Sequence, residues 1–338
     1  MEEAKFYKSQ NNNKIQCQLC HHFCLISEGQ TGICRVRQNK EGKLYSLVYG
    51  YPVALNIDPI EKKPLFHFQP GSSAYSLGTL GCNFLCANCQ NWDISQATDI
   101  EAKIKYLNLV KPEEIIKNAL ADNCSSIAYT YNEPTIWAEY ALDIMKLAQK
   151  NKLKNVWVSN GYMSPDCLKA ILPYLDATNI DLKSMDEDFY KKNCRAKLGP
   201  VLDNLKRLKK EKVHTEITTL IIPSLSDEPG MLKEIVDFIV RELGPETPWH
   251  ISKFSSEISW KLKNLPETEN KIVYNAYEIG RKAGLKYIYA GNMPGDDKEN
   301  TYCPACGQLA IKRVGYQIER FDKNGKCAKC GGNLNIIE

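Results

Sequence analysis

The stretch Gly81-Cys82-Asn83-Phe84-Leu85-Cys86-Ala87-Asn88-Cys89-Gln90-Asn91 decides how the rest of the chain reads. It sets three cysteines in C-x3-C-x2-C spacing directly after the apolar run from Tyr75 to Leu80, which predicts a strand. Three thiolates this close together can each hold one iron of a cubane [4Fe–4S] cluster, whose usual protein complement is four cysteines. The missing fourth ligand leaves one iron open, and an open metal position is where chemistry can occur. The competing reading is a zinc site completed by histidine, but no histidine follows within the loop. The spacing also matches neither ferredoxin pattern, C-x2-C-x2-C or C-x4-C-x2-C.

Around this loop, short β-rich runs alternate with segments of helical period. Strands are predicted at Ala74–Leu80, Ser126–Thr130, Asn155–Ser159, Ala177–Asp181, Val213–Ile222, Trp249–Lys253 and Lys286–Ala290. Helices are predicted from Pro112, over Thr135–Lys150, from Ser164-Pro165, and over Val201–Lys212, Pro229–Leu243 and Glu267–Ala283. Gly244 and Gly284 fit the stops of the last two. Repeated β-α units imply an α/β fold with a parallel sheet, open or closed. Polar residues cluster just after the strands: Asn132-Glu133, Ser159-Asn160-Gly161, Asp181 with Lys183, and Gly291-Asn292. A partial (β/α)6 TIM-like barrel brings these positions and the cysteine loop to one mouth, so the barrel is the expected architecture.

The two ends read as small metal-binding modules, giving a division into 1–70, a barrel at 71–300 and a ribbon at 301–338. The chain has 338 residues and a net charge of only +4, with lysines interleaved among acids, so no basic stripe points to nucleic acid. Neither a secretory leader nor a membrane-length apolar run is visible, which leads us to expect a cytoplasmic protein. In that setting its 14 cysteines point to metal rather than disulfides. Only Cys124, Cys167 and Cys194 stand apart from clusters.

Cys303-x2-Cys306 and Cys327-x2-Cys330 have the form of a four-cysteine zinc ribbon, in which a closed tetrahedral site stabilises a module too small for its own core. A rubredoxin-like iron is the alternative. Cys17-x2-Cys20-x3-Cys24-x9-Cys34 is less diagnostic and reads as zinc or an auxiliary iron–sulfur cluster.

With these residues in view, the chain resembles the radical S-adenosylmethionine (SAM) enzymes of the AmmeMemoRadiSam system, which are themselves similar to pyruvate formate-lyase activating enzymes. The resemblance runs through Cys17-Gln-Leu-Cys-His-His-Phe-Cys, Gly81-Cys82-Asn83-Phe84, Cys89-Gln90-Asn91-Trp92 and Thr130-Tyr131-Asn132-Glu133-Pro134-Thr135. It continues through Ser159-Asn160-Gly161, Asp181-Leu182-Lys183, Trp249-His250 and Tyr289-Ala290-Gly291-Asn292 to the terminal cysteine pairs. It implies that Cys82, Cys86 and Cys89 hold a [4Fe–4S] cluster whose open iron binds SAM, which is then cleaved reductively to a 5′-deoxyadenosyl radical. Glu133 would receive the SAM ammonium, with Asn132, Ser159, Asn160 and Gly161 beside it and Asn292 near the adenine. Each of these also fits an ordinary strand-to-helix turn.

Asp181, Lys183 and His250 would be catalytic or substrate-contacting, against the plainer readings of a local ion pair and a satisfied core histidine. The resemblance also implies a flavodoxin- or ferredoxin-type electron donor and Memo-like and AMMECR-type partners. It leaves the substrate unnamed. Two other functions stay open: a glycyl-radical activase, against which Gln90-Asn91 after the third cysteine argues, and a zinc-stabilised binding protein without catalysis.

Overall fold

The computed structural model describes residues 1–293 and 295–338. Its centre is an eight-stranded sheet with the strands in chain order. They are β1 (Ala54–Pro59), β2 (Ser73–Gly78), β3 (Ser126–Tyr129), β4 (Lys154–Ser159), β5 (Ala177–Asp181), β6 (His214–Ile221), β7 (Trp249–Lys253) and β8 (Ile288–Gly291). β1 is antiparallel to β2, and every pairing from β2 to β8 is parallel. All seven sequence-predicted strands are present. β1 is an addition that the sequence hides, because Asn56 and Ile57 are exposed and break the alternation.

The longer helices between the strands are α1 (Pro112–Ala121), α2 (Ala138–Lys150), α3 (Pro165–Ile171), α4 (Gly199–Lys210), α5 (Pro229–Phe238) and α6 (Asn270–Lys282). α3 starts as its sequence predicts, with Ser164 Oγ accepting from the Cys167 N–H and Pro165 in the first turn. α2 starts later than its periodicity suggests. Pro134–Trp137 forms a tighter 3-10 turn, capped by the Glu133 carboxylate on the Thr135 N–H.

Alternation along the strands separates two cores. Tyr75, Leu77, Tyr129, Trp157, Ile217 and Trp249 pack with the helices in the main core. The other face carries smaller groups, Ala74, Ala128, Val156 and Ala177, which pack against Ile60, Leu65 and Phe68. The small residues make room for the segment that follows β1. Burying each of its three large apolar side chains contributes about 1.5–3 kcal/mol.

Both terminal modules dock on this frame. The N-terminal one has two three-stranded sheets and is tied to α2 by a fully buried bidentate ion pair, Arg37 to Glu139 at 2.8 and 2.9 Å. The C-terminal one is a hairpin, Leu309–Val314 with Gln317–Arg320, flanked by Thr301–Tyr302. Its last residues pair with the segment after β1, through the Gln69 N–H to the Ile337 carbonyl (2.6 Å) and the Ile337 N–H to the His67 carbonyl (2.8 Å). No helix among the described residues is long and apolar enough to cross a membrane.

The N-terminal module meets the cysteine loop at Gly81. Its φ is +90°, and a Cβ there would lie 2.6 Å from the Cys34 carbonyl oxygen and 2.7 Å from Val36 Cγ1. Gly81→Ala is therefore expected to destabilise the fold by roughly 1–3 kcal/mol, read as a lower urea midpoint under anaerobic conditions. An unchanged midpoint would show that this contact does not hold the loop.

Candidate active site and metal centres

The cysteine loop leaves the C-terminal end of β2 and is held from several directions. Asn132 Nδ2 donates to the Gly81 carbonyl (2.8 Å) and Asn91 Nδ2 to the Tyr131 carbonyl (2.7 Å). The Leu85 and Ala87 amides donate to the carbonyls of Cys194 and Asn193, each at 3.0 Å. The Lys261 amide donates to the Ala87 carbonyl (2.8 Å) and the Trp260 amide to that of Cys89 (3.1 Å). Pinned through its backbone by segments following β3, β5 and β7, the loop forms a rigid platform for its thiols.

Beside it lies a buried carboxylate. Glu133 Oε1 accepts from the Thr135 N–H (3.1 Å), the Thr135 hydroxyl and Ser159 Oγ (2.9 Å); Oε2 accepts from the Asn160 N–H (2.8 Å). The Gly161 N–H donates to Ser159 Oγ (3.0 Å), and Asn160 Nδ2 donates to Asn83 Oδ1 (2.8 Å) within the cysteine loop. Burial raises the Glu133 pKa, and the partners that oppose this are all uncharged. The structure thus brings Glu133, Ser159, Asn160 and Gly161 together around one carboxylate facing Cys82, whose thiol is raised by burial and by the Glu133 charge. Asn132 belongs to the loop's scaffold instead. Its amide nitrogen serves Gly81, and its oxygen accepts from the Thr79 N–H and Trp137 Nε1, each at 3.3 Å.

A second group sits at the end of β5. Lys183 Nζ pairs with Asp181 at 2.8 Å. Burial acts against the Lys183 charge, but Asp181 and the thiols of Cys86 and Cys194 outweigh it and raise its pKa. Cys86 and Cys194 face each other, and that contact lowers the Cys194 pKa. Cys194 ends a π-helical stretch, Tyr190–Cys194, of the kind often found at functional sites.

The remaining candidates fall elsewhere. His250 is the second residue of β7, not at its end, and is buried with Nε2 2.6 Å from Glu216. Its ring stacks on Tyr289 and meets Phe66 edge-on at 4.7 Å. Asn292 ties the end of β8 to the Lys253 carbonyl (2.9 Å). Sequence reasoning missed Lys63, a buried lysine 2.6 Å from Asp58, with Tyr131 donating to the same carboxylate. Burial brings the Lys63 pKa down to about 8. No local motif marks it, since it stands beside Glu61 and Lys62 in a charged run.

The cysteine sets differ in the groups they can hold. None of the 14 is bridged to another. In the C-terminal set, Cys303 and Cys330 Sγ lie 3.6 Å apart and Cys306 and Cys327 Sγ 3.7 Å apart. Four sulfurs about 2.3 Å from one ion lie about 3.8 Å apart, so this set can bind a single metal ion. Among the described residues it is the only group of three or more possible ligands with all atoms within 4.8 Å. Cys82, Cys86 and Cys89 are spread more widely, which suits a cluster with several irons better than one ion. The Phe84 N–H also points at Cys82 Sγ (3.4 Å), as amides do around iron–sulfur sulfurs.

Comparison with known proteins agrees with this arrangement. The family model for the radical SAM superfamily matches residues 77–239. An uncharacterized protein of Methanocaldococcus jannaschii is 44% identical over 340 residues, covering all of both chains. A pyruvate formate-lyase-activating enzyme of Clostridium pasteurianum is 23% identical over 199 residues, covering 55% of this chain and 80% of that one. Among solved structures, Streptococcus suis SuiB bound to precursor peptide SuiA matches with a TM-score of 0.50 at 12% identity, covering 69% of this chain and 51% of that one. That likeness concerns the fold alone.

Proposed function

Because the chain belongs to the radical SAM superfamily, we propose that Cys82, Cys86 and Cys89 hold its [4Fe–4S] cluster and that Glu133 receives the SAM ammonium. When bound, the cluster supplies the electron that cleaves SAM to methionine and a 5′-deoxyadenosyl radical. The observation carrying the reading is a buried carboxylate with no positive partner, set beside three unbridged thiols on a braced loop. A carboxylate in that state gains most from a fixed cation. Ser159, Asn160 and Gly161 orient it, and Asn132 positions the loop. Asp181 and Lys183, next to Cys86, are proposed to contact SAM or substrate. His250 is proposed to act only through its neighbours.

The sheet is read as a partial barrel curled around the segment after β1, with metal-binding modules at 1–70 and 301–338 and zinc in the C-terminal one. We further assign the chain to the AmmeMemoRadiSam system. The ordered motifs along its length support this, and it implies Memo-like and AMMECR-type partners and a flavodoxin- or ferredoxin-type donor. A second reading, an activase that takes hydrogen from a glycine of a partner protein, is favoured by the relatives named as activating enzymes.

Anaerobically reconstituted protein given SAM and dithionite is expected to form 5′-deoxyadenosine. Zinc throughout, no cluster absorbance and no product would instead support the non-catalytic binding protein. Hydrogen transfer into 5′-deoxyadenosine from a candidate glycyl-radical protein would select the activase.

A further inference from the structure

We propose that Cys17, Cys20, Cys24 and Cys34 hold a second iron–sulfur cluster, a [4Fe–4S] cubane with all four irons bound by protein. The four cysteines line one small, largely enclosed cavity together with Arg37 and Asn83. Their spacing argues against zinc. The C-terminal set shows that this chain draws four cysteines into a tetrahedron where a single ion is wanted, with sulfurs 3.6 and 3.7 Å apart. No three of the N-terminal sulfurs lie within 4.8 Å of one another. They share this wider spread with Cys82, Cys86 and Cys89, the thiols of the cluster loop.

The cavity is also built for an electron-rich occupant. Arg37 and Asn83 are 1% and 0% exposed. Arg37 Nε and Asn83 Nδ2, donors on two of the residues that line the cavity, have no hydrogen-bond partner among the described residues. An unpaired buried donor costs about 1–3 kcal/mol, and sulfide or thiolate acceptors on a cluster would remove that cost. Four protein ligands leave no open iron, so this centre would not bind SAM. It abuts the catalytic loop, since His22 Nε2 lies 2.8 Å from the Asn83 carbonyl.

The test uses full-length protein in which Cys82, Cys86 and Cys89 are all alanine, reconstituted anaerobically with iron and sulfide. This variant is expected to retain about four irons and four sulfides per chain, absorbance near that of a cubane, and a reduced-state electron paramagnetic resonance signal. Adding Cys17→Ser and Cys20→Ser should remove all of these. One zinc in place of the iron, two irons with two sulfides, or no metal in the N-terminal set would overturn the proposal. Wild type is measured in parallel and guards against misfolding of the variants. Eight irons are expected there, and four irons with a second zinc would overturn the proposal. The SAM reading fails separately, through loss of 5′-deoxyadenosine formation in wild type.

Discussion

Glu133→Gln is expected to lower SAM-dependent 5′-deoxyadenosine formation to about one hundredth of wild type or less, and to weaken SAM binding in the same proportion. The change is nearly isosteric, so the effect comes from hydrogen-bond polarity and charge. Each oxygen of Glu133 receives an obligate donor, the Thr135 N–H on Oε1 and the Asn160 N–H on Oε2. Whichever way a glutamine amide turns, its NH2 faces one of these amides, which then has no acceptor at a cost of about 1–3 kcal/mol. The negative charge meant for the SAM cation also disappears. Equilibrium dialysis with labelled SAM separates binding from chemistry. Affinity within about twofold of wild type would remove Glu133 from the SAM site.

The pH dependence has a definite sign. Burial raises the Glu133 pKa, so the folded apo-protein keeps the proton to higher pH than the unfolded chain, and ionising the group costs stability as pH rises. A bound cation favours the ionised form. SAM affinity should therefore increase as pH rises through the raised value, and the increase should be absent in Glu133→Gln.

Features that depend on neighbours in sequence were legible without the structure. The cysteine loop, the glycine stops and the Ser164-Pro165 helix start all act within a few residues of themselves. Glu133, Ser159, Asn160 and Asp181 could be placed because strand ends in a parallel sheet converge, whatever the intervening chain. The rest depends on partners far apart in sequence. The Arg37–Glu139 pair spans 102 positions, and nothing around either residue announces it. Asn132 follows a strand as a ligand would, yet its amide faces back to the loop it braces. His250 is the second residue of a strand whose bounds, Trp249–Lys253, were legible; what the sequence hides is the partner, Glu216 on the neighbouring strand, which holds the imidazole beside Phe66. β1 and the segment after it were invisible because their apolar residues serve the sheet's inner face rather than a core of their own.

That inner face explains the second large effect, a predicted loss of roughly 3–5 kcal/mol for Glu216→Leu, read from urea unfolding. Glu216 is fully buried, like Glu133, and each oxygen again takes a backbone amide: His67 N–H on Oε1 (2.8 Å) and Phe66 N–H on Oε2 (3.0 Å). The difference lies in the other partners, His214 at 2.9 Å and His250 at 2.6 Å. Burial acts to raise the Glu216 pKa, but the hydrogen bonds and charges of the two histidines outweigh it and hold the group well below the ordinary glutamate range. Glu133 lacks such a partner, whereas Glu216 is already compensated, and this is why we assign ligand binding to the first and architecture to the second. Leucine at 216 would strand two amides and two imidazoles and release the segment on which the C-terminal module docks through His67 and Ile337. Because the folded value is depressed, the stabilisation is complete above the ordinary glutamate range and is lost as pH falls through the depressed value. Wild type should therefore lose stability in acid more steeply than Glu216→Leu, and parallel acid profiles would show that the carboxylate is not ionised in the fold.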